Sequence, residues 1–328
     1  MQPIDALWLE AKSKLATIKL KDGEFHLVRI DETSVIPSYC GMDESARLFL
    51  AFRVTRRPLI PEIKTSAFDS HVSQRPDKSW LYVLRLLDRN LTSVFESLCV
   101  DLANEVAVTN SEDDFVNLLK RRVKSWQQLF ATTTGGLLTR GQVIGLIGEL
   151  TLLKDIVLSG HMTLDAAITA WQGPYGSDQD FILADSAIET KTVRDDINEI
   201  GISSLEQLNT ERFPNLQLVV FGYRNVALGE PRAITLNEIA SSVASMCSHS
   251  PQILRELHSA LLEVGYVFND AYDQICIAIV RRDVYDVTAG FPHLMPSSIP
   301  QGISGAQYQI ALQFIAPYKQ ESYPYGDH

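Results

Sequence analysis

Two short apolar segments, Gln179-Asp180-Phe181-Ile182-Leu183 and Ala187-Ile188-Glu189-Thr190-Lys191-Thr192-Val193, are separated by only a few small or polar residues. Segments this close pair as a β-hairpin, and the turn then fixes which side chains stand opposite each other. With the turn centred on Ala184-Asp185, Asp180 falls opposite Glu189; centred on Asp185-Ser186, it falls opposite Lys191. Strand side chains alternate with period two, so under either turn Asp180, Glu189 and Lys191 share one sheet face. Two carboxylates beside an ammonium on one face suit a divalent cation with a general base or charge stabiliser next to it. The same three residues would also serve as an ordinary solvated cross-strand ion pair, so the surrounding elements have to decide.

Upstream, Thr139 with Gln142 three residues on predicts a capping box opening a helix that runs to about 158, where Ser159-Gly160 stops it. Leu146, Leu150, Leu153 and Val157 cluster on one side of that helix, and Glu149 falls at the margin of the apolar stripe, where a carboxylate needs a partner. An extended piece is expected over 167–171, then the hairpin, then a short helix opened by a second capping box, Ser203 with Glu206, and ended by Pro214. Leu216-Gln217-Leu218-Val219-Val220-Phe221 reads as a buried strand. The expected order is helix, three-stranded meander, helix, strand.

An acid on the first helix, an acid on the second strand and Glu-x-Lys on the third resembles the PD-(D/E)XK nuclease superfamily. Gly145-Leu146-Ile147-Gly148-Glu149-Leu150, Gln179-Asp180-Phe181, Ile188-Glu189-Thr190-Lys191 and Ser203-Ser204-Leu205-Glu206-Gln207-Leu208 are similar to its uncharacterised members from bacterial restriction and phage-defence clusters. So are Phe291-Pro292-His293-Leu294, Ile299-Pro300-Gln301-Gly302-Ile303 and Tyr308. Gln179 stands where the superfamily's name has proline.

The resemblance implies an α/β protein with a restriction-endonuclease-like core. Its implied catalytic set is Glu149, Asp180, Glu189 and Lys191. Asp180, Glu189 and the Thr190 main-chain carbonyl would hold Mg²⁺, with Mn²⁺ as the alternative ion. Glu149 would act through water or hold a second ion, and Lys191 would orient the attacking water or support charge. The implied activity is Mg²⁺-dependent endonucleolytic cleavage of DNA leaving a 5′-phosphate, in a restriction or phage-defence setting. The implied partners are DNA and either a second copy of the chain or other defence subunits. The alternative is a nuclease-like fold that recognises DNA or assembles a complex without cutting.

Three segments are expected: an N-terminal α/β module over 1–130, the nuclease-like core over 131–224 and an α+β extension over 225–328. The first carries strands near 25–30, 48–54 and 80–86 and helices over 92–106 and 114–130; Ala131-Thr132-Thr133-Thr134-Gly135-Gly136 marks its end. The last carries helices over 236–248 and 251–264, strands over 274–280 and 308–312, and a polar tail that frays after 319.

Twenty-nine basic against 40 acidic residues, a formal charge of −11, excludes a protein that coats nucleic acid through its overall field but permits a local basic contact. Candidates for such a contact are Lys120, Arg121, Arg122 and Lys124 on an amphipathic helix with Trp126, and Arg194 just past the Glu-x-Lys strand. Cys40, Cys99, Cys247 and Cys276 are too scattered for a zinc site or a disulfide framework. No apolar run approaches bilayer length and the N-terminal residues lack a secretory pattern, so a cytoplasmic address without membrane contact is expected. Glu-x-Lys occurs twice more, as Glu10-Ala11-Lys12 in a charged helical run and as Glu62-Ile63-Lys64 between prolines 58 and 61 and the next strand. Asp178, sharing the face of Asp180, is its rival as a ligand, ranked second because Asp180 directly enters the apolar strand.

Overall fold

The computed structural model describes residues 7–10, 13, 25–31, 34–132 and 137–324. The chain divides into two compact units, Met1–Leu137 and Leu138–His328. Among the described residues no helix is long and apolar enough to cross a membrane. The four cysteines are buried free thiols.

The first unit is a mixed α/β module. Strands β1 (Phe25–Arg29), β2 (Ser38–Asp43), β3 (Leu48–Val54), β4 (Phe68–Gln74) and β5 (Trp80–Leu86) form an antiparallel sheet in the order β1-β2-β3-β5-β4. Helices α1 (Thr92–Ala107) and α2 (Glu112–Thr132) follow. Phe52 of β3 meets Phe115 of α2 with ring centroids 5.3 Å apart, and Glu112 accepts from the Thr55 main-chain N–H at the end of β3. Strands β2 and β4 were not expected. Ser-Tyr-Cys-Gly-Met-Asp and Phe-Asp-Ser-His-Val-Ser-Gln are too polar to announce themselves, and pairing with β3 and β5 makes them strands.

The second unit opens with α3 (Arg140–Leu158), whose capping box between Thr139 and Gln142 is formed as expected. Then come α4 (Leu164–Ala170), β6 (Phe181–Ile182), β7 (Ser186–Arg194), β8 (Glu199–Ile202) and β9 (Asn215–Asn225). Helices α5 (Leu236–Met246) and α6 (Pro251–Glu263), strands β10 (Ile277–Val287) and β11 (Tyr308–Ala311), helix α7 (Leu312–Ile315) and β12 (Lys319–Pro324) complete it. The main sheet runs β12-β10-β9-β7-β6, with β7 and β9 parallel and its other pairs antiparallel; β8 and β11 form a separate ribbon.

Several expectations are corrected. Residues 167–171 are not a strand: Thr163 caps α4, whose alanines favour helix, and only Trp171 touches the sheet, through a single bridge to Phe181. The helix expected after Ser203 is one 3₁₀ turn, Glu206–Leu208, without a side-chain cap, because Ser203 gives its main-chain N–H to Gln207 instead. The boundary expected near 224 falls inside one continuous sheet, since β9 pairs along its length with β10. The strand expected over 274–280 begins at Ile277 and continues to Val287, and the tail after 319 enters the sheet as β12.

Two contacts position the future site. On the β7 face that carries Ala187, Glu189 and Lys191, the β8–β11 ribbon supplies Ile200, Ile202 and Ile310 to a core with Leu208, Leu218, Val220 and Tyr285. On the opposite face, α3 approaches β7 at a glycine. A Cβ on Gly148 would lie 1.9 Å from Thr192 Oγ1, so no larger residue allows helix and strand this close.

Candidate active site

The hairpin closes with Leu183 N–H donating to the Ser186 carbonyl at 2.8 Å, which centres the turn on Ala184-Asp185. Phe181 then pairs with Ile188, and Asp180 reaches the level of Glu189. Asp180 Oδ2 accepts from the Thr190 main-chain N–H at 2.8 Å, tying the acid to the strand that carries the other two charges. Lys191 Nζ lies 2.7 Å from Glu189 Oε1 and donates to Gln207 Oε1 at 3.1 Å. Glu149 comes from α3 and accepts on Oε2 from Trp171 Nε1 at 2.8 Å. Gly173 stands between the two approaches: a Cβ there would lie 3.1 Å from Asp180 Oδ1 and 3.2 Å from Glu149 Oε2. The four side chains expected to act together are therefore brought to one place.

Three acids against one ammonium, away from water, leave an uncompensated negative cluster. Burial and then the neighbouring Asp180 push the Glu149 carboxyl up to about 8. Burial likewise raises Asp180, against the pull of the Thr190 N–H and Lys191. Glu189, 1 % exposed, is driven well above the usual carboxylate range by burial and by Asp180. Its Oε2 is buried without a hydrogen-bond partner. Among the described residues no three His, Cys, Asp or Glu side chains close on one point as a finished ion cage. The reason is visible: Glu149 is turned to Trp171, Asp180 to Thr190 and Glu189 to Lys191. An orphaned carboxylate oxygen, a glycine cradle between two further acids and three acids set against a single ammonium fit a hard divalent cation, which would displace their protons.

The remaining candidates lie elsewhere. Asp178 pairs with Arg212 at the surface, 3.2 Å away. Arg194 is held by Asp196. Arg122 is turned inward onto Asp101 and Glu105, at 3.6 and 3.1 Å, so the basic face expected on α2 is not a free one at that residue; the side chain of Lys124 lies outside the described residues. Of the other Glu-x-Lys sequences, Glu62 and Lys64 form an exposed pair, and Lys12 lies outside the described residues.

Nothing local in the sequence marks Trp171, Gly173 and Gln207 as site residues. The glycine lies between the predicted elements, and the tryptophan ends the segment expected to be extended. Gln207 sat in a family-like segment without an assigned task.

The family described as "Putative PD-(D/E)XK family member, (DUF4420)" matches residues 6–313. No curated protein and no solved structure matches the chain.

Proposed function

The chain belongs to this PD-(D/E)XK family, and from that membership together with the buried charge cluster we propose that it is a Mg²⁺-dependent endonuclease hydrolysing phosphodiester bonds of DNA, in a restriction or phage-defence system. In this reading the second unit carries a restriction-endonuclease-like core, and the first unit is a separate module. The observation that carries the proposal is the Lys191 ammonium held against buried Glu189 next to Asp180 and Glu149.

Asp180 and Glu189 would hold the ion through hard oxygen donors, with the Thr190 carbonyl beside them and Glu149 acting through water or a second ion. A bound divalent ion makes a water molecule more acidic and offsets charge on the phosphoryl oxygens. Lys191 orients the attacking water or supports the same developing charge from the adjacent position on the strand face. The ribbon of β8 and β11 keeps bulk water from that face, which strengthens each of these interactions. With an acidic chain overall, contact with the DNA backbone is local.

The alternative, a nuclease-like subunit that binds or assembles without cutting, draws on the carboxylates being engaged with protein donors rather than closed into a cage. Incubation of plasmid DNA with Mg²⁺, comparing the native chain with Glu189→Ala and with an EDTA control, separates the two. Cleavage by the native chain alone, lost in EDTA, supports the enzyme. No cleavage, with DNA binding indifferent to Mg²⁺, favours the non-catalytic subunit.

A further inference from the structure

Gln179, the residue standing in the place of proline, is fully buried, at 0 % exposure, and makes contacts that proline cannot. Its Nε2 donates to the main-chain carbonyl of Glu206 and, at 3.3 Å, to that of Gln207. These carbonyls belong to the 3₁₀ turn Glu206–Leu208, and the side chain of Gln207 returns from that turn to the site. Gln207 Oε1 accepts from Lys191 Nζ at 3.1 Å and from the Ser203 main-chain N–H at 2.8 Å. A run of amides thus connects the residue beside Asp180 to the head of Lys191.

We propose that Gln207 and Gln179 are positioning residues that fix the Lys191 ammonium, Gln207 by direct hydrogen bond and Gln179 by clamping the turn that carries Gln207. The inference rests on the hydrolase reading of this site and deepens it. The other acceptor at Lys191 Nζ is Glu189 Oε1, a carboxylate that the same reading assigns to the ion. An ammonium on a flexible four-carbon stem needs a second anchor when its carboxylate serves elsewhere. An amide oxygen provides one without neutralising the ammonium, and as a neutral ligand it competes less for a hard cation than a carboxylate does. The Gln207 oxygen is itself held in place, because the Ser203 N–H occupies its other lone-pair direction. A proline at 179 has no side-chain donor and would leave the Glu206 and Gln207 carbonyls without this partner.

The test uses Gln207→Leu and Gln179→Pro in the full chain, with two readouts. One is kcat and KM for duplex DNA cleavage with Mg²⁺. The other, in protein saturated with Mg²⁺ so that Glu189 is drawn to the ion, is the ¹H–¹⁵N signal of the Lys191 ammonium, which is visible when hydrogen bonding slows its exchange with water. In Gln207→Leu, kcat is expected to fall about 100-fold with KM unchanged, the scale of loss for a misplaced reacting group, and the ammonium signal to disappear. Gln179→Pro is expected to follow it in both readouts, although proline restores the superfamily's own motif. Gln207 is only partly buried, so its variant keeps the test readable even where Gln179→Pro does not fold. A Gln207→Leu protein with native kcat, or with the Lys191 signal intact, overturns the proposal, as does a native chain without that signal. A folded Gln179→Pro with native kcat removes the part given to Gln179. If the native chain cuts nothing yet shows a signal that Gln207→Leu lacks, the positioning stands and the hydrolase reading alone falls.

Discussion

The same spacing of glutamate and lysine occurs in both units with opposite outcomes. In Glu62-Ile63-Lys64 the ammonium and carboxylate are 3.5 Å apart, with side chains 53 % exposed for the glutamate and 80 % for the lysine. In Glu189-Thr190-Lys191 they are 2.7 Å apart, with exposures of 1 % and 15 %. The first pair follows Pro58 and Pro61, which keep that segment out of a central strand, and meets the sheet edge through the bridge of Lys64 to Asp69 and the hydrogen bond from Ile63 N–H to Ser70 Oγ. The second lies within a nine-residue strand flanked by β6 and β9. Water screens the first pair to about 1 kcal/mol at most, whereas removal from water makes the second costly to leave unbalanced and strong when balanced. The lesson is that dehydration, not the tripeptide, creates the chemistry.

The largest effect expected from that contrast is on activity. Lys191→Ala should lower Mg²⁺-dependent plasmid cleavage by about 100-fold to 10,000-fold with the fold retained, the range typical of a removed acid–base group, while Lys64→Ala stays at the native rate. Undiminished cleavage by Lys191→Ala would remove the assignment.

Next in size is the contact that lets α3 lie against β7. Gly148→Ala drives a methyl into Thr192 and should cost about 1–3 kcal/mol in urea unfolding, as overpacked sites do. Gly141→Ala, in the first turn of the same helix with open space around it, should instead be neutral or slightly stabilising. Equal stability of Gly148→Ala and the native chain would show that the close approach is not needed.

A smaller change is expected at the cradle. Gly173→Ala places a methyl close to Asp180 and Glu149 and should weaken Mn²⁺ binding about 10-fold by calorimetric titration, roughly 1.4 kcal/mol. Unaltered affinity would mean that an ion does not bind beside that glycine.

The most diagnostic effect concerns pH. With Glu149 pushed from 4.5 up to about 8 in the folded chain, the native state holds this proton more tightly than the unfolded state does. The resulting stability is complete below pH 4.5 and is lost as the pH rises towards 8. The melting temperature of EDTA-treated protein should therefore fall more between pH 5 and 8 than that of Glu149→Gln, whose neutral amide does not titrate. Mg²⁺ should restore the native chain at pH 8. Parallel pH profiles for the two proteins would contradict a proton held at Glu149.

Local spacing made much of this legible. Thr139 and Gln142 announced the start of α3, and alternation along the Glu-x-Lys strand put Glu189 and Lys191 on one face. It left the hairpin turn open between two centres, which pairing of Phe181 with Ile188 resolves. The alanine-rich segment before Trp171, expected to be extended, is helical as its composition favours. Strands β2, β4, β8 and β12 were harder, because short or polar segments become strands only when a distant partner offers its edge.

By itself the sequence determined which charged residues could share a strand face, because alternation is a property of the local backbone. It also determined that Glu149 would sit beside apolar neighbours on a helix, because that follows from 3.6-residue periodicity. Only the tertiary structure decided that these charges would meet and lose their water. That required Gly148 to admit α3, the β8–β11 ribbon to cover β7, and Trp171, Gly173 and Gln207 to arrive from elsewhere in the chain. Desolvation is a sum over neighbours remote in sequence, so no short motif can encode it.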